Sequence, residues 1–162
     1  MLHKQIVFYS HWCYLILGMK NCPYCSLPEI KERKVNENDL AWSFPTNIPI
    51  TPGHMLIVPK RCIARYEDLT EEEKASIEAL RVGILTALKK VFGSEGFNFA
   101  WNDGKMAGQS VPHFHLHVVP RKTGDSGVCE YEPRQFIYRP GERKTSPEEE
   151  LRAVRDLIRA VL

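Results

Sequence analysis

The sequence predicts an α+β fold in which a mostly antiparallel sheet packs against one long helix and a C-terminal helix. Strand-like segments follow one another through hairpin-like connections, and helical periodicity is confined to two stretches. The predicted order is strand, strand, helix, strand, strand, helix. One face of the sheet would pack on the long helix, and the other would be covered or would hold a ligand.

Composition bounds the class of protein. The chain has 162 residues and a net charge of +2, which suits one globular domain and is too mild to indicate a nucleic-acid partner. Polar residues interrupt the apolar N-terminal segment and no small-residue cleavage site follows it, so neither a membrane span nor a signal peptide is predicted. The five cysteines favour a reducing, cytoplasmic location with free or metal-bound thiols.

The first two strands flank a proline-rich turn. LAWSFP at 40–45 has the composition of a strand, TNIPITPG turns the chain, and HMLIVP at 54–59 is the next strand, with His54 at its mouth.

The long helix is predicted to begin at the capping box TEEE, residues 70–73, and to end at Gly93 as its C-cap. Its apolar positions recur at helical spacing. These positions are Ile77, Leu80, Ile84, Leu88 and Val91.

The third and fourth strands enclose a glycine-containing loop. FNFAW at 97–101 is followed by NDGKMAGQSVP and then by HFHLHVVPR at 113–121, with Pro120 expected to close the strand. Successive side chains of a strand point to opposite faces, so one face would carry imidazoles and the other would supply core. The two sets are His113, His115 and His117, and Phe114, Leu116 and Val118.

The remaining chain is predicted to be irregular and then helical. Residues 122–144 are polar, with Tyr131, Phe136 and Tyr138 as candidate anchors. Ser146 would open a second capping box, with Pro147 at the first helical position. The apolar stripe of that helix would consist of Leu151, Val154, Leu157, Ile158 and Val161.

Three local patterns indicate chemistry. Neutral imidazoles in a row can supply a nucleophile, an acid or base, or metal ligands. The alternative is a surface strand that is rich in histidine without a functional role. Gly108, Gln109 and Ser110 precede them, and such a loop can present N–H and hydroxyl donors to phosphate. CPYC at 22–25 has metal-ligand spacing, and the following Pro28 and EIKERK run give no helix-opening context for a thioredoxin-like motif.

These motifs resemble the histidine-triad superfamily of nucleotide hydrolases and transferases. The resemblance rests on GQSVPHFHLHVVPR at 108–121, PGHMLIVPKR at 52–61 and FNFAWNDG at 97–104, and it spans about residues 22–125. It implies a catalytic domain at 19–125 and a tail with an amphipathic helix at 126–162. Residues 1–18 would be an N-terminal extension of uncertain role, because Met19 is a natural start for the domain.

The resemblance also implies the roles of individual residues. His115 matches the nucleophile that attacks the α-phosphorus, His117 matches a phosphate-binding histidine, and His54 matches a supporting histidine beside the triad. The polar groups of the phosphate pocket would be Asn102, Gln109 and Ser110, and the Ser110 hydroxyl would also help to protonate a leaving group. Where the family often has an Asp or Asn for the ribose hydroxyls, this chain has Thr46 followed by Asn47.

A structural zinc ion is implied by the same resemblance. Its ligands would be Cys22, Cys25, Cys62 and His113, with Cys62 at a position where zinc-bearing relatives have histidine. Buried thiols without metal are the alternative, and Cys13 and Cys129 have no assigned role. Magnesium is a further candidate that would accompany the substrate phosphates. A homodimer is implied as well, with the long helix and FNFAW as interface elements.

The function that follows is hydrolysis of dinucleoside polyphosphates such as Ap4A through a nucleotidyl-histidine intermediate. The GQSV spelling also fits nucleoside phosphoramidate hydrolysis, and a nucleotidyltransferase or phosphorylase would use the same intermediate with another acceptor. A non-catalytic metal- or nucleotide-binding module is the alternative from a different class. DNA-end repair is disfavoured by the mild charge.

Overall fold

The computed structural model describes residues 22–125 and 145–162. Its strands are β1 (Asn36–Glu37), β2 (Ala41–Pro45), β3 (Met55–Pro59), β4 (Gly96–Ala100) and β5 (Leu116–Arg121). Its α-helices are α1 (Pro23–Ser26), α2 (Pro28–Glu32), α3 (Glu71–Phe92) and α4 (Glu148–Arg159), and short 3-10 turns cover Tyr66–Asp68 and Lys105–Ala107.

The strands form one antiparallel sheet in the order β1-β2-β3-β5-β4. The predicted α+β fold, with a long helix and a C-terminal helix, is therefore confirmed. Only β1 was not predicted as a strand, because two residues are too short to show an alternating pattern.

Strand β3 shows how the sheet separates two environments. Met55 and Ile57 belong to the main core, which includes the apolar side of α3 and Ile158 of α4. Leu56 and Val58 point the other way and join a smaller cluster with Trp42 and Phe44. That second face is where the sheet leaves room for a ligand.

The capping predictions for α3 are confirmed. The Thr70 hydroxyl accepts a hydrogen bond from the Glu73 backbone N–H, and the Glu73 carboxylate accepts one from the Thr70 backbone N–H. Gly93 ends the helix with φ 64°, a left-handed conformation that glycine adopts without strain. The predicted stripe faces the core, with Val91 only partly buried.

The histidine strand differs from the prediction at both ends. The strand begins at Leu116 rather than at His113. The Phe114 N–H donates to the Ile63 carbonyl, and the His113 ring donates to the Pro59 carbonyl, so neither the Phe114 N–H nor the Pro59 carbonyl is available for pairing between β3 and β5. It also runs through Pro120 to Arg121. The Pro120 carbonyl accepts from the Thr51 hydroxyl on the side where pairing with β3 has ended, so the missing N–H costs no ladder bond.

The start of α4 is also corrected. Its N-cap is Pro147 rather than Ser146, no side-chain cap is made, and the predicted capping box is absent. The Ser146 backbone N–H instead bonds the Asn47 carbonyl at 2.8 Å, which fixes this segment against the end of β2. Leu157 is 54% exposed and lies off the buried stripe formed by Leu151 and Ile158.

The expectation that no helix-opening context follows CPYC was wrong, since α2 begins at Pro28, and α1 begins at Pro23 within the motif. Each proline stands at a first helical position. The predictions for residues 1–18, Met19, Cys13, Cys129, Tyr131, Phe136 and Tyr138 lie outside the described residues. Within the described ranges, every helix is too short or too polar to cross a bilayer.

Candidate functional site

The open sheet face carries a pocket of about 820 Å³. Its lining includes the rings of His54, His115 and His117, together with Asn102 and Ser110. Apolar side chains and several charged or polar groups complete the lining. These residues are Pro23, Tyr24, Leu27, Glu29, Ile30, Arg33, Thr46, Asn47, Ile48, Leu56 and Glu148.

His115 is held with one defined ring nitrogen toward the pocket. Its Nδ1 lies 2.7 Å from the His113 carbonyl, and because a carbonyl only accepts, Nδ1 carries the proton. In the neutral ring, Nε2 then keeps its lone pair. Burial lowers the pKa of His115 below its ordinary value of 6.5, and the neighbouring His113 charge lowers it further, so the ring is neutral at neutral pH.

His117 has the opposite arrangement. The Ile50 N–H donates to Nδ1 of His54 at 3.1 Å, so a neutral His54 carries its proton on Nε2. That nitrogen lies 2.9 Å from Nδ1 of His117, which must accept. A neutral His117 therefore carries its proton on Nε2 and is a donor, whereas Nε2 of His115 is an electron-pair site.

His113 faces away from this pocket into a cluster with three cysteines. The ligand atoms of Cys22, Cys25, Cys62 and His113 all lie within 4.8 Å of one another. Nδ1 of His113 is 3.3 Å from Sγ of Cys22 and 3.5 Å from Sγ of Cys25. Nε2 donates to the Pro59 carbonyl at 2.9 Å, which directs Nδ1 toward the sulfurs.

The cluster already stabilises negative sulfur. A hydrogen bond from Cys62, together with the nearby His113 ring, lowers the pKa of Cys22, and the same contact raises the pKa of Cys62. Burial alone would lower the pKa of His113, but the contacts with Cys22 and Cys25 outweigh burial and raise the pKa to about 9. Without a metal ion, a proton on Nδ1 of His113 lies among the sulfur atoms, where a bound cation would lie. The three sulfurs and this nitrogen form a donor set that fits a tetrahedral metal ion.

The loop before the triad is braced by its own polar side chains. The Gln109 amide donates to the Ala64 carbonyl at 2.8 Å and accepts from the Gly104 N–H at 3.0 Å. Asn102 donates to the Gly108 carbonyl at 3.2 Å, and Gly108 has φ 87°. This places Asn102 and Ser110 in the pocket lining and directs Gln109 into the loop, away from the pocket.

Backbone hydrogen bonds at the end of β2 connect the strand that follows His54 with the start of the C-terminal helix. The Thr46 N–H donates to the His54 carbonyl at 3.1 Å, and the Asn47 carbonyl accepts from Ser146. Thr46 and Asn47 both line the pocket.

Among the lining residues that the sequence did not indicate, three make defined contacts. Tyr24 sets its ring edge-on to His113 and His115, with centroids 5.7 and 5.5 Å apart. Arg33 and Glu148 form a salt bridge of 3.3 Å. The tyrosine inside CPYC was a usable signal, but no local pattern connects Arg33 to a residue in the C-terminal helix.

Comparisons with known proteins identify the family of the chain. The HIT domain family model matches residues 27–124. The chain is 36% identical over 109 residues to the bis(5'-adenosyl)-triphosphatase of Dictyostelium discoideum. The matched segment covers 67% of this chain and 70% of that protein. It is 34% identical over 108 residues to the AP-4-A phosphorylase of Mycobacterium tuberculosis, covering 64% of this chain and 55% of that protein, so it spans about half the length of this relative.

A solved structure extends the comparison to the fold. The Zn-bound histidine triad family protein from Mycobacterium smegmatis matches with a TM-score of 0.67 and 28% sequence identity, covering 89% of this chain and 94% of that chain. The family match covers more than half of the 162 residues and includes both motif-bearing strands. The chain belongs to the HIT domain family.

Proposed function

We propose that the protein is a nucleotide hydrolase that acts at the α-phosphate of dinucleoside polyphosphates. The observation that carries the proposal is the hydrogen bond from Nδ1 of His115 to the His113 carbonyl. It commits the ring proton to the backbone and leaves the Nε2 lone pair for the substrate. The Dictyostelium relative, named a bis(5'-adenosyl)-triphosphatase, supports the substrate class.

The reaction proceeds in two displacements. In the first, Nε2 of His115 bonds to the α-phosphorus while the bond to the bridging oxygen breaks, and a nucleoside polyphosphate leaves. In the second, water attacks the same phosphorus, the phosphorus–nitrogen bond breaks and a mononucleotide is released, with the water proton passing to solvent. Covalent catalysis thereby divides one difficult displacement at an anionic phosphate into two easier ones.

The neighbouring groups stabilise charge on the phosphate. Nε2–H of His117 donates to a phosphate oxygen, and His54 holds His117 in the required tautomer. Asn102 and Ser110 lie in the pocket lining, where they supply further donors. The Ser110 hydroxyl also donates to the departing atom. Magnesium, where present, would bind the substrate phosphates and reduce their charge.

The proposal is tested by hydrolysis of diadenosine tetraphosphate and of an adenosine phosphoramidate. His115→Asn should remove nearly all turnover on both substrates while nucleotide binding, measured separately, survives. Ser110→Ala should impair the phosphoramidate reaction more, because a leaving amine needs a proton. Substantial turnover by His115→Asn would refute the nucleophile assignment.

The acceptor separates hydrolase from phosphorylase. Water converts diadenosine tetraphosphate to AMP and ATP, whereas phosphate converts it to ADP and ATP. The Mycobacterium tuberculosis relative is named a phosphorylase, which supports testing phosphate directly. We expect AMP and ATP even with phosphate present, and dominant ADP would move the assignment to phosphorolysis.

A non-catalytic metal-binding module is the second candidate, and the ring orientations disfavour it. For three histidines to hold one metal, their ligand nitrogens would have to converge. Instead, Nδ1 of His113 faces Cys22 and Cys25, while Nδ1 of His115 is bonded to backbone. The imidazoles therefore serve two different sites.

Zinc is the metal that we assign to the Cys22, Cys25, Cys62 and His113 cluster. Three thiolates and one imidazole form a common closed zinc site, and the Zn-bound Mycobacterium smegmatis relative supports the choice. These cysteines are not paired in disulfides, which suits a reducing cytoplasm. The metal would be structural, since the cluster lies behind Tyr24 and takes no part in the displacement steps.

The homodimer stays a proposal that rests on the exposed edge of the sheet. Among the described strands, β4 lies at one edge of the sheet; Phe99 within it is 42% exposed, and Trp101 directly after it is 43% exposed. A sheet edge with exposed apolar side chains favours pairing with a second copy. Light scattering at working concentration should give twice the monomer mass.

A further inference from the structure

The C-terminal helix contributes a wall to the nucleotide pocket. Glu148, the first residue of α4, lines the same pocket as the triad histidines. The helix is tied to α2 and to the segment after it, since Arg155 donates to the Glu32 carbonyl and Arg159 donates to the Val35 carbonyl. Glu148 is therefore held at the pocket, although it lies far from the triad in sequence.

A chain of contacts orders the pocket from the reacting phosphate outward. His117 bonds His54, whose carbonyl accepts from Thr46. The next residue, Asn47, accepts from Ser146, two positions before Glu148. In a nucleotide the ribose is the group bonded to the α-phosphate. Thr46, Asn47 and Glu148 follow the phosphate site in this chain of contacts and are thus placed to meet the sugar. Leu27, Ile30 and Leu56 offer an apolar wall to the base.

The Glu148 carboxylate is oriented by a buried cation. Its Oε2 lies 3.3 Å from Nε of Arg33, whose side chain is 5% exposed, whereas the Glu148 side chain is 42% exposed. No other described residue bonds this carboxylate. An ionised carboxylate is acceptor-only, so the remaining oxygen suits a hydroxyl donor. Arg33 also offsets a negative charge that would otherwise repel the phosphates.

We propose that Glu148, positioned by Arg33, accepts a hydrogen bond from a ribose hydroxyl of the bound nucleotide and makes the pocket selective for ribonucleotides. The inference rests on the proposed function, because it takes the nucleotide to be bound with its α-phosphate at His115. Carboxylates bind ribose hydroxyls in the same way in dinucleotide-binding folds. Thr46 and Asn47 offer only neutral groups. Of the two carboxylates in the lining, Glu29 and Glu148, Glu148 is the one whose segment is bonded to Asn47 through Ser146, so it is the charged acceptor that we assign to the sugar.

The test compares binding of AMP, 2'-deoxyAMP and 3'-deoxyAMP by calorimetry. The wild type should bind AMP about tenfold more tightly than at least one deoxy analogue, the effect of one hydrogen bond to a charged acceptor. Glu148→Ala should bind AMP only as weakly as that analogue, and the affinity for the analogue should not change. Glu149→Ala is the matched control, since it removes a carboxylate from the same helical turn at an exposed position outside the pocket lining.

The outcomes separate this inference from the proposed reaction. If Glu148→Ala retains the wild-type preference for AMP, or weakens all three ligands equally, the ribose assignment is wrong. A wild type that does not distinguish the ligands would also overturn it. If one of these results is found while His115-dependent hydrolysis is also observed, only the ribose assignment is contradicted and the proposed reaction stands. Ribose selectivity lost in Glu148→Ala, without hydrolysis of any dinucleotide, would support the inference and contradict the reaction.

Discussion

The three triad histidines are distinguished by the groups that their ring nitrogens bond. The Pro59 carbonyl binds Nε2 of His113, the His113 carbonyl binds Nδ1 of His115, and His54 binds Nδ1 of His117. One strand-like segment can therefore present a metal-ligand nitrogen, an electron pair and an N–H donor in succession. Strict alternation brings the rings together, but the backbone groups around them determine which nitrogen is available.

Sequence could predict the triad and the metal cluster but not these tautomers. The period of two in HFHLHV places the imidazoles together, and CPYC is a recognisable ligand pair. The tautomers depend on Ile50 and Pro59, whose role arises only when the turn before β3 and the end of that strand are folded. The pairing of Arg33 with Glu148 has no local signal, since it joins distant segments.

Removing the donor at His117 gives a prediction at the residue scale. His117→Asn should lower kcat by about 10²–10³-fold, because one preorganised donor to the developing charge is lost. His54→Ala should cause a smaller loss, since the donor remains but its tautomer is no longer fixed. Steady-state kinetics on diadenosine tetraphosphate checks both. An unchanged kcat in His117→Asn would contradict its role as a phosphate donor.

At the scale of elements, the sequence predicted the ends of a helix correctly where the capping residues belong to the same segment. The capping box and Gly93 of α3 were predicted because both ends are satisfied within the helix. The ends of β5 were not, because they depend on Thr51 and Ile63 in other segments. The start of α4 failed for the same reason, since Ser146 bonds Asn47 instead of capping its own helix.

The Glu73–Arg61 pair predicts an acid-sensitive contribution to stability. Hydrogen bonds from Arg61 lower the pKa of Glu73 from its ordinary value of 4.5. A lowered carboxyl pKa stabilises the fold above pH 4.5, and this stabilisation is lost as the pH falls through the folded-state pKa. Glu73→Gln should therefore lower the free energy of unfolding by about 1 kcal/mol at pH 7 and by less in acid.

Denaturant titrations at several pH values measure that difference. Glu71→Gln is the control, because it removes a carboxylate from the same turn with a side chain 84% exposed. A deficit in Glu73→Gln that stays constant down to pH 3 would contradict the ion-pair explanation.

At the scale of the whole molecule, the metal cluster joins three separate segments. Cys22 is the N-cap of α1 and Cys25 lies within it, Cys62 follows β3, and His113 leads into β5. A bound ion would thus fix α1, and with it Tyr24, against the strand that carries His115. Metal binding here would be coupled to folding rather than to the displacement steps.

Metal removal tests that coupling. Protein purified without chelator should contain about one zinc per chain. Cys22→Ser should lower the zinc content, and it should lower the melting temperature by at least about 2–4 °C. Cys129→Ser is the control, since it leaves all four proposed ligands in place. Zinc retained by the double variant Cys25→Ser, Cys62→Ser would exclude this ligand set.

The central claim is that His115 carries the nucleotide between the two displacements. Protein mixed briefly with diadenosine tetraphosphate, quenched under conditions that preserve phosphorus–nitrogen bonds and digested, should yield a peptide containing His115 with the added mass of an AMP group. The adduct should be absent from His115→Asn and should disappear as AMP is released. Turnover by the wild type with no such adduct, or an adduct on His117 instead, would contradict the account.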